Sequence, residues 1–225
     1  MQIDVFTLFP EWFGWFESQR HVRNALRLGH ELRFFNYRDT TPLPSGQVDD
    51  SPYGGGAGML IRVDVVDAAL QAVYGPDTGA MLQERRVAVL TPAGRRLDDS
   101  VADELAAVER LTLLCGRYEG VDERVREHLS NDALSVGPYV LSGGELAAMV
   151  LADAVLRKLP GALGDDQSPV EESFSQALDG LVEYPHYTRP AAYRGWDVPA
   201  VLLSGHHEQV RSWRHEESRR RSTGS

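Results

Sequence analysis

The sequence has little cysteine and no long apolar run, and both absences restrict the class of protein. Among 225 residues there is one cysteine, Cys115, which excludes a disulfide framework and any zinc cluster built from cysteines. No apolar run approaches the roughly 20 residues that a membrane-spanning helix needs. The first six residues have the pattern of a strand and not that of a signal peptide. We therefore expect a cytoplasmic protein that is not associated with a membrane.

Positive charge is also scarce. The chain has 23 lysines and arginines against 33 aspartates and glutamates, which gives a formal net charge of −10. This balance disfavours general electrostatic adhesion to nucleic acid or to an anionic membrane. A basic segment remains at the end, because residues 205–225 contain five arginines and three glutamates. If RNA is a partner, we expect local basic patches of this kind to contact it.

What the sequence does contain is a series of apolar strands followed by glycine-containing loops. Apolar runs begin at Val87, Leu111 and Leu134, and each leads into such a loop. Continuous apolar runs that alternate with helical segments are typical of parallel strands covered on both faces. Ligands of such sheets bind at the carboxyl ends of the strands. The sequence therefore predicts an α/β fold with a ligand site at this edge of a parallel sheet.

The most informative of these loops lies in residues 134–146. Ser142 and Glu145 have the spacing of a capping box and predict the start of a helix. Two glycines, Gly143 and Gly144, are costly at the start of a helix. They are favoured where a ligand must approach the backbone more closely than a Cβ permits. We therefore interpret this loop as one wall of the ligand site.

The rest of the sequence predicts the organisation of the chain. Expected strands cover 1–8 and 30–37, expected helices cover 11–28, 63–73, 100–109 and 143–158, and residues 39–59 form a loop. Pro160-Gly161 cannot continue the last helix. We predict a first domain over residues 1–160, a polar linker over 161–180 and a C-terminal domain over 181–225.

Several motifs allow more than one interpretation. The glycine run at 54–58 lacks the lysine and hydroxyl residue of a phosphate-binding loop, so it is either a flexible loop or a substrate loop beside Asp49-Asp50. His186 has no second ligand at helical spacing, and His206-His207 are adjacent, so no metal site is predicted. The aromatic segment 184–190 suits either stacking on an unpaired base or a turn with buried tyrosines.

Two charged residues are ordinary when each is considered alone. Arg157 ends the predicted helix, where a cation suits the helix dipole. Glu172 lies in the polar linker, where a solvated carboxylate is expected.

Taken together, the motifs resemble the bacterial tRNA (guanine-N1)-methyltransferases of the TrmD type, which belong to the SPOUT class of S-adenosylmethionine-dependent enzymes. The matching motifs are Leu8-Phe9-Pro10-Glu11, Asp49-Asp50 with the run up to Gly58-Met59, Cys115-Gly116-Arg117-Tyr118-Glu119-Gly120, Tyr139-Val140-Leu141-Ser142-Gly143-Gly144-Glu145 and Pro185-His186-Tyr187-Thr188-Arg189-Pro190. They occur in order over most of the chain.

The resemblance implies a parallel sheet tied in a deep trefoil knot, followed by a small, mainly helical C-terminal domain that binds tRNA. It implies a homodimer in which both subunits contribute to each active site. S-adenosyl-L-methionine would bind in the knot. By motif position, the cofactor residues are Leu90, Pro92, Gly94, Tyr118, Glu119, Ser135, Val136, Gly137, Tyr139, Leu141, Gly143 and Gly144. The residues that contact tRNA are Asp50, Gly58, His186 and Arg189.

The reaction implied is methylation of N1 of the guanosine at position 37 of tRNA, next to the anticodon. In this family's pattern, Glu172 is the catalytic carboxylate and Arg157 the catalytic arginine. Glu172 stands where the family usually has aspartate, and Pro138 replaces a common acidic residue in the cofactor loop. Two alternatives stay open: a SPOUT methyltransferase acting on another RNA base, and a non-catalytic protein that binds RNA or a nucleotide.

Overall fold

A five-stranded parallel sheet forms the centre of the computed structural model, which describes residues 1–163 and 172–223. Its strands are β1 (Gln2–Thr7), β2 (Glu31–Asn36), β5 (Arg86–Arg96), β6 (Arg110–Cys115) and β7 (Asp132–Ser135), in the order β2-β1-β6-β5-β7. All neighbours in this sheet run parallel. The short strands β3 (Asp49–Asp50) and β4 (Leu60–Ile61) pair separately and antiparallel. The predicted α/β fold with a parallel sheet is confirmed.

Helices cover both faces of the sheet. They are α1 (Gly14–Glu17), α2 (Arg20–Arg27), α3 (Val63–Tyr74), α4 (Thr78–Glu84), α5 (Asp99–Ala106), α6 (Glu123–His128) and α7 (Glu145–Arg157). Successive strand residues point to opposite faces, so Val5 and Leu113 pack in the core with α2, α5 and α7. Phe6 and Leu114 pack in a second core with α3, α4 and α6. The strands are thus buried on both faces, as their continuous apolar sequence predicts.

The helix predicted over residues 11–28 is wrong in one respect, because it is interrupted. A 3₁₀ turn at Pro10–Phe13 leads into α1, and α2 begins only at Arg20. Between them, the hydroxyl of Ser18 and the side-chain amide of Gln19 both donate to the carbonyl of Trp15. Side chains that bond to the nearby backbone in this way compete with a continuous helix.

The chain divides into two compact units, residues 1–164 and 165–225. The predicted linker, 161–180, lies partly outside the described residues. In the second unit, Gln176–Leu178 forms a 3₁₀ turn, β8 (Ala192–Tyr193) and β9 (Trp196–Asp197) form a hairpin, and α8 (Ala200–Leu203) and α9 (His207–Thr223) follow. Within the described ranges, no helix is long and apolar enough to cross a membrane.

Candidate functional site

Three loops meet at the carboxyl ends of the central strands. In β5 the pairing with β7 shifts between Leu90 and Arg95, so the intervening residues bulge away from the sheet. The segment after β7 returns to the end of β6, where the amide of Gly144 donates to the carbonyl of Gly116 (2.8 Å). Arg117 also forms a backbone bridge with Gly143. The loops that follow β6 and β7 are therefore joined by backbone contacts, and the amide of Leu97, just after β5, donates to the carbonyl of Ser135 at the end of β7 (2.8 Å).

These loops enclose a cavity of about 400 Å³. Eleven of the twelve residues predicted to bind a cofactor line it. They are Leu90, Pro92, Tyr118, Glu119, Ser135, Val136, Gly137, Tyr139, Leu141, Gly143 and Gly144. The cavity has the size of a typical small-molecule site. Its position at the strand ends agrees with the expectation for a parallel sheet, and the cofactor role of each residue stays a prediction.

The loop after β7 is tightly folded around its glycine. The hydroxyl of Ser135 donates to the carbonyl of Gly137 (3.1 Å), and the hydroxyl of Tyr139 donates to that of Val136 (3.1 Å). The amide of Tyr139 also donates to the carbonyl of Gly137 (2.9 Å). These bonds fix the wall of the cavity before any ligand enters.

Gly94 is the predicted cofactor residue that does not line the cavity. A Cβ at Gly94 would come within 2.5 Å of the backbone of Ala133 and Leu134. A Cβ at Gly144 would similarly lie 2.7 Å from Cα of Cys115. Both glycines thus permit close approach of two backbone segments, which is a packing requirement that holds without a ligand.

Several lining residues were not among the predicted cofactor residues. They include Thr91, Gly116, Arg117, Val140, Glu123 and Arg126. The first four stand within two positions of predicted residues in the same loops, so proximity in sequence was the available signal. Glu123 and Arg126 lie on α6, a helix that was not predicted, although Asp122 caps it by accepting from the amide of Arg124.

The predicted capping box of Ser142 and Glu145 is wrong. Helix α7 begins at Glu145 and its N-cap is Gly144, with no capping side chain in the described part of the chain. The carboxylate of Glu145 is instead buried and accepts a hydrogen bond from the hydroxyl of Thr7 (2.9 Å). The carboxylate packs against Gly143, where a Cβ would clash with Oε2 of Glu145.

Cys115 lies beneath the same loops, fully buried. Burial raises the pKa of its thiol well above the usual range, and nearby Glu145 adds to the effect. The thiol is therefore neutral near pH 7 and behaves as a small apolar side chain, not as a nucleophile.

The glycine run at 54–58 reaches the cavity wall. The amide of Glu119 donates to the carbonyl of Met59 (3.0 Å), and Ile61 forms a backbone bridge with Val121. Gly58 lies directly against the side chain of Glu119, where a Cβ would not fit. The predicted substrate residue Gly58 is thus adjacent to a predicted cofactor residue.

Asp50, the other predicted substrate residue in this part of the chain, lies 3.4 Å from a guanidinium nitrogen of Arg62. Arg62 also forms two hydrogen bonds with Asp64 and thereby holds the pKa of that carboxyl below its usual range. Asp50 is exposed and shares this arginine with Asp64.

The predicted catalytic residues are in different units. Arg157 is the last residue of α7, the helix that begins at the cavity. The helix has 13 residues, so its first and last residues are separated by about 18 Å at a rise of about 1.5 Å per residue. Glu172 is half-buried in the second unit, where its carbonyl accepts from the amide of Ser175 (3.1 Å).

In the aromatic segment 184–190, one tyrosine is buried, as expected for a turn, and the other is exposed. Tyr184 is buried beneath the guanidinium of Arg214, which lies 4.6 Å from its ring centroid. Tyr187 is exposed. His186, which is predicted to contact tRNA, lies 2.7 Å from a carboxylate oxygen of Glu183. Arg189, the second residue of this segment that is predicted to contact tRNA, is exposed. Among the described residues, no group of His, Cys, Asp and Glu is arranged to hold a metal ion.

Comparison with known proteins identifies the family. A family profile described as tRNA (Guanine-1)-methyltransferase TrmD matches residues 1–225. A tRNA (guanine-N(1)-)-methyltransferase of Dehalococcoides mccartyi is 50% identical over 223 residues, which cover 99% of this chain and 87% of that protein. The enzyme of that name from Brevibacillus brevis is 48% identical, covering 99% of this chain and 88% of its own length. With a full-length match and a cavity formed by the motif loops, this chain belongs to the tRNA (guanine-1)-methyltransferase family.

Proposed function

We propose that this protein transfers a methyl group from S-adenosyl-L-methionine to N1 of the guanosine at position 37 of tRNA. The observation that carries the proposal is the cavity at the strand ends, lined by eleven of the twelve motif residues in a chain of this family. Because tRNA is the substrate, we assign the reaction to the cytoplasm.

The cavity fits a ligand of the proposed kind. Its volume of about 400 Å³ suits a small molecule, and its wall combines apolar side chains with exposed backbone groups of glycine. Leu90, Tyr118 and Leu141 would enclose the base and sugar, while Glu119 provides a carboxylate. When bound, S-adenosylmethionine supplies an electrophilic methyl group.

The chain's own residues would prepare the acceptor. Guanine N1 carries a proton, and it becomes an effective nucleophile when that proton leaves. The carboxylate of Glu172 takes the proton as general base, a role that typically accelerates a reaction by about 10²–10⁴-fold. Negative charge then moves to O6 of the guanine, where the guanidinium of Arg157 stabilises it.

The position of Arg157 supports a homodimer with shared active sites. About 15 Å of helix separates Arg157 from Ala147, the α7 residue that lines the cavity of its own chain, too far for contact with a base beside that cavity. A second copy with α7 reversed would bring its Arg157 towards this cavity. The exposed face of α7 carries apolar Leu146 and Val150, which suits burial against that copy.

We also infer the trefoil knot of the family. Gly94 in the bulge of β5 lies against the backbone of β7 at Leu134, and the chain after β7 then packs against the loop after β6. The amide of Leu97 donates to the carbonyl of Ser135 (2.8 Å), so the chain after the bulge of β5 bonds to the end of β7. This course of the chain supports threading of the last segment through a loop.

A complementation experiment tests the shared site. Arg157→Ala and the cavity-filling Leu141→Trp are each expected to be inactive. Mixed after unfolding and refolding together, they should recover about a quarter of the wild-type rate, because about half of the dimers are mixed and each has one complete site. No recovery from stable mixed dimers would place Arg157 and the cavity of the same chain in one site.

The substrate is tested with tRNA transcripts that differ at one base. A transcript with guanosine at position 37 should be methylated, and one with adenosine there should not. Equal methylation of both would favour another RNA base as acceptor. Binding of S-adenosylmethionine without transfer to any transcript would favour a non-catalytic protein.

A further inference from the structure

A buried carboxylate lies directly behind the cavity wall. The side chain of Glu145 is 2% exposed, although it is the first residue of α7. One oxygen, Oε1, accepts from the hydroxyl of Thr7, but Oε2 is buried and has no hydrogen-bond partner among the residues that the structure describes. Burying a carboxylate is costly unless it is paired. A function that requires this charge would explain its position.

The nearest cation is Arg117, which lines the cavity. Its Nη1 lies 3.9 Å from Oε2 of Glu145, beyond hydrogen-bond distance. Its guanidinium also lies over the rings of Phe9 and Trp12, 5.0 and 5.5 Å from their centroids. These two rings stack on each other at 4.5 Å. Arg117 therefore interacts with an aromatic pair and lies close to a buried carboxylate.

Thr7 links the aromatic pair to the buried carboxylate through two hydrogen bonds. The amide of Phe9 donates to the hydroxyl of Thr7 (3.0 Å), and that hydroxyl donates to Glu145. Thr7, at the end of β1, thus bonds both to Phe9 of the aromatic pair and to the carboxylate near Arg117. Movement of Arg117 by about 1 Å towards Oε2 would complete a charged hydrogen bond.

Two cavity loops depend on the position of Arg117. It begins the turn that carries Tyr118 and Glu119, and its carbonyl accepts from the amide of Gly120 (2.9 Å). Its backbone also bridges to Gly143, against which the side chains of both Glu145 and Arg117 pack. Arg117 therefore contacts both loops, through its backbone and through its side chain.

We propose that Glu145 is a positioning residue for the cofactor cavity. Its free oxygen draws Arg117 into a hydrogen bond as the ligand fills the cavity, and this fixes the turn at Tyr118-Glu119 and the loop at Gly143. The inference rests on the proposed function, because the ligand is the S-adenosylmethionine of that reaction. Glu145 acts through Arg117 and does not touch the methyl group.

The test compares Glu145→Gln with Arg117→Met in the full-length protein. Glutamine keeps the acceptor for Thr7 and removes the charge that faces Arg117. We expect each variant to bind S-adenosylmethionine about tenfold more weakly by calorimetry, a loss of about 1.4 kcal/mol. The kcat at saturating cofactor should stay within about threefold of wild type, since the catalytic groups are elsewhere.

A double variant distinguishes positioning from general damage. If the two residues act as a pair, the double variant loses about tenfold as well, whereas independent effects would multiply to about a hundredfold. Glu109→Gln, an exposed carboxylate before β6, is the matched control and should bind as wild type does. If Glu145→Gln fails to fold, Arg117→Met carries the test, because Arg117 is partly exposed.

Wild-type affinity in Glu145→Gln, or multiplied losses in the double variant, would overturn the positioning role. Failure of the proposed function is separately visible, because the wild-type protein would then bind no S-adenosylmethionine or methylate no tRNA.

Discussion

The two units of this protein are built in opposite ways. The first has a parallel sheet with an apolar core on each face, and its cavity is formed by backbone loops that bond to one another. In the second, only Leu178, Tyr184 and Ser218 are buried among the described residues 172–223. Exposed Tyr193 and Trp196 face each other across its short hairpin. The first unit has a cavity for a small ligand, and we propose that the second contributes its exposed surface to tRNA binding.

The difference predicts where substitutions affect chemistry and where they affect stability. The proposed base, Glu172, belongs to the unit with few buried side chains, whereas the cavity belongs to the unit with the deep core. Loss of a catalytic group should then spare the fold, and loss of a close backbone approach should not.

The largest effect is expected for Glu172→Gln. Glutamine has the same size but cannot take the proton from N1, so the single-turnover rate should fall by about 10²–10⁴-fold. Calorimetric affinity for S-adenosylmethionine should not change, because the cavity is formed by the first unit. Glu172→Asp, which restores the family's usual residue, should keep most of the activity. An active Glu172→Gln enzyme would remove Glu172 as the base.

A smaller effect, on stability, is expected for Gly94→Ala. The new Cβ would meet the backbone of Ala133 and Leu134 at 2.5 Å, and we expect a loss of about 1–3 kcal/mol, the usual range for overpacking. The matched control is Gly14→Ala, since Gly14 has helical φ and open space at its Cβ. That change should stabilise the protein by about 0.4–1 kcal/mol, because alanine reduces the conformational entropy of the unfolded chain. Urea unfolding measures both, and equal values would contradict the proposed close packing.

The smallest effect concerns salt. If α9 binds phosphates of tRNA, affinity should fall as salt rises. Replacing exposed Arg211 and Arg219 with Gln should then reduce the logarithmic slope by about 0.7–0.9 for each phosphate that is no longer neutralised. Affinity for S-adenosylmethionine in the first unit should show little such dependence. The measurement is a salt titration of tRNA binding by fluorescence anisotropy. An unchanged slope would exclude these arginines from the tRNA interface.

The sequence predicted the sheet and the loops of the cavity well for a physical reason. A strand buried on both faces must be apolar throughout, so β5, β6 and β7 are visible as short apolar runs. The glycine loops after them are visible because few other residues permit such close backbone approach. Both features leave a local mark in the sequence, although the contacts they serve, such as that of Gly94 with Leu134, join distant segments.

What the sequence could not provide was the partner of each polar side chain. Ser142 and Glu145 satisfy the spacing of a capping box, but Glu145 bonds to Thr7, 138 residues away. The buried charge and its relation to Arg117 follow from tertiary packing alone. Helices α4 and α6 were missed, although Asp77 and Asp122 cap them by ordinary side-chain bonds. Their short length gave too little periodicity for prediction.

The most direct test of the proposed reaction is the location of the methyl group. The experiment is a single turnover of the purified protein with S-adenosylmethionine and an unmodified tRNA transcript that has guanosine at position 37. The product is then digested with nuclease and analysed by mass spectrometry. We predict one methyl group, on N1 of nucleoside 37, and none after that guanosine is replaced. A methyl group on any other base, or none with the cofactor bound, would contradict the proposed function.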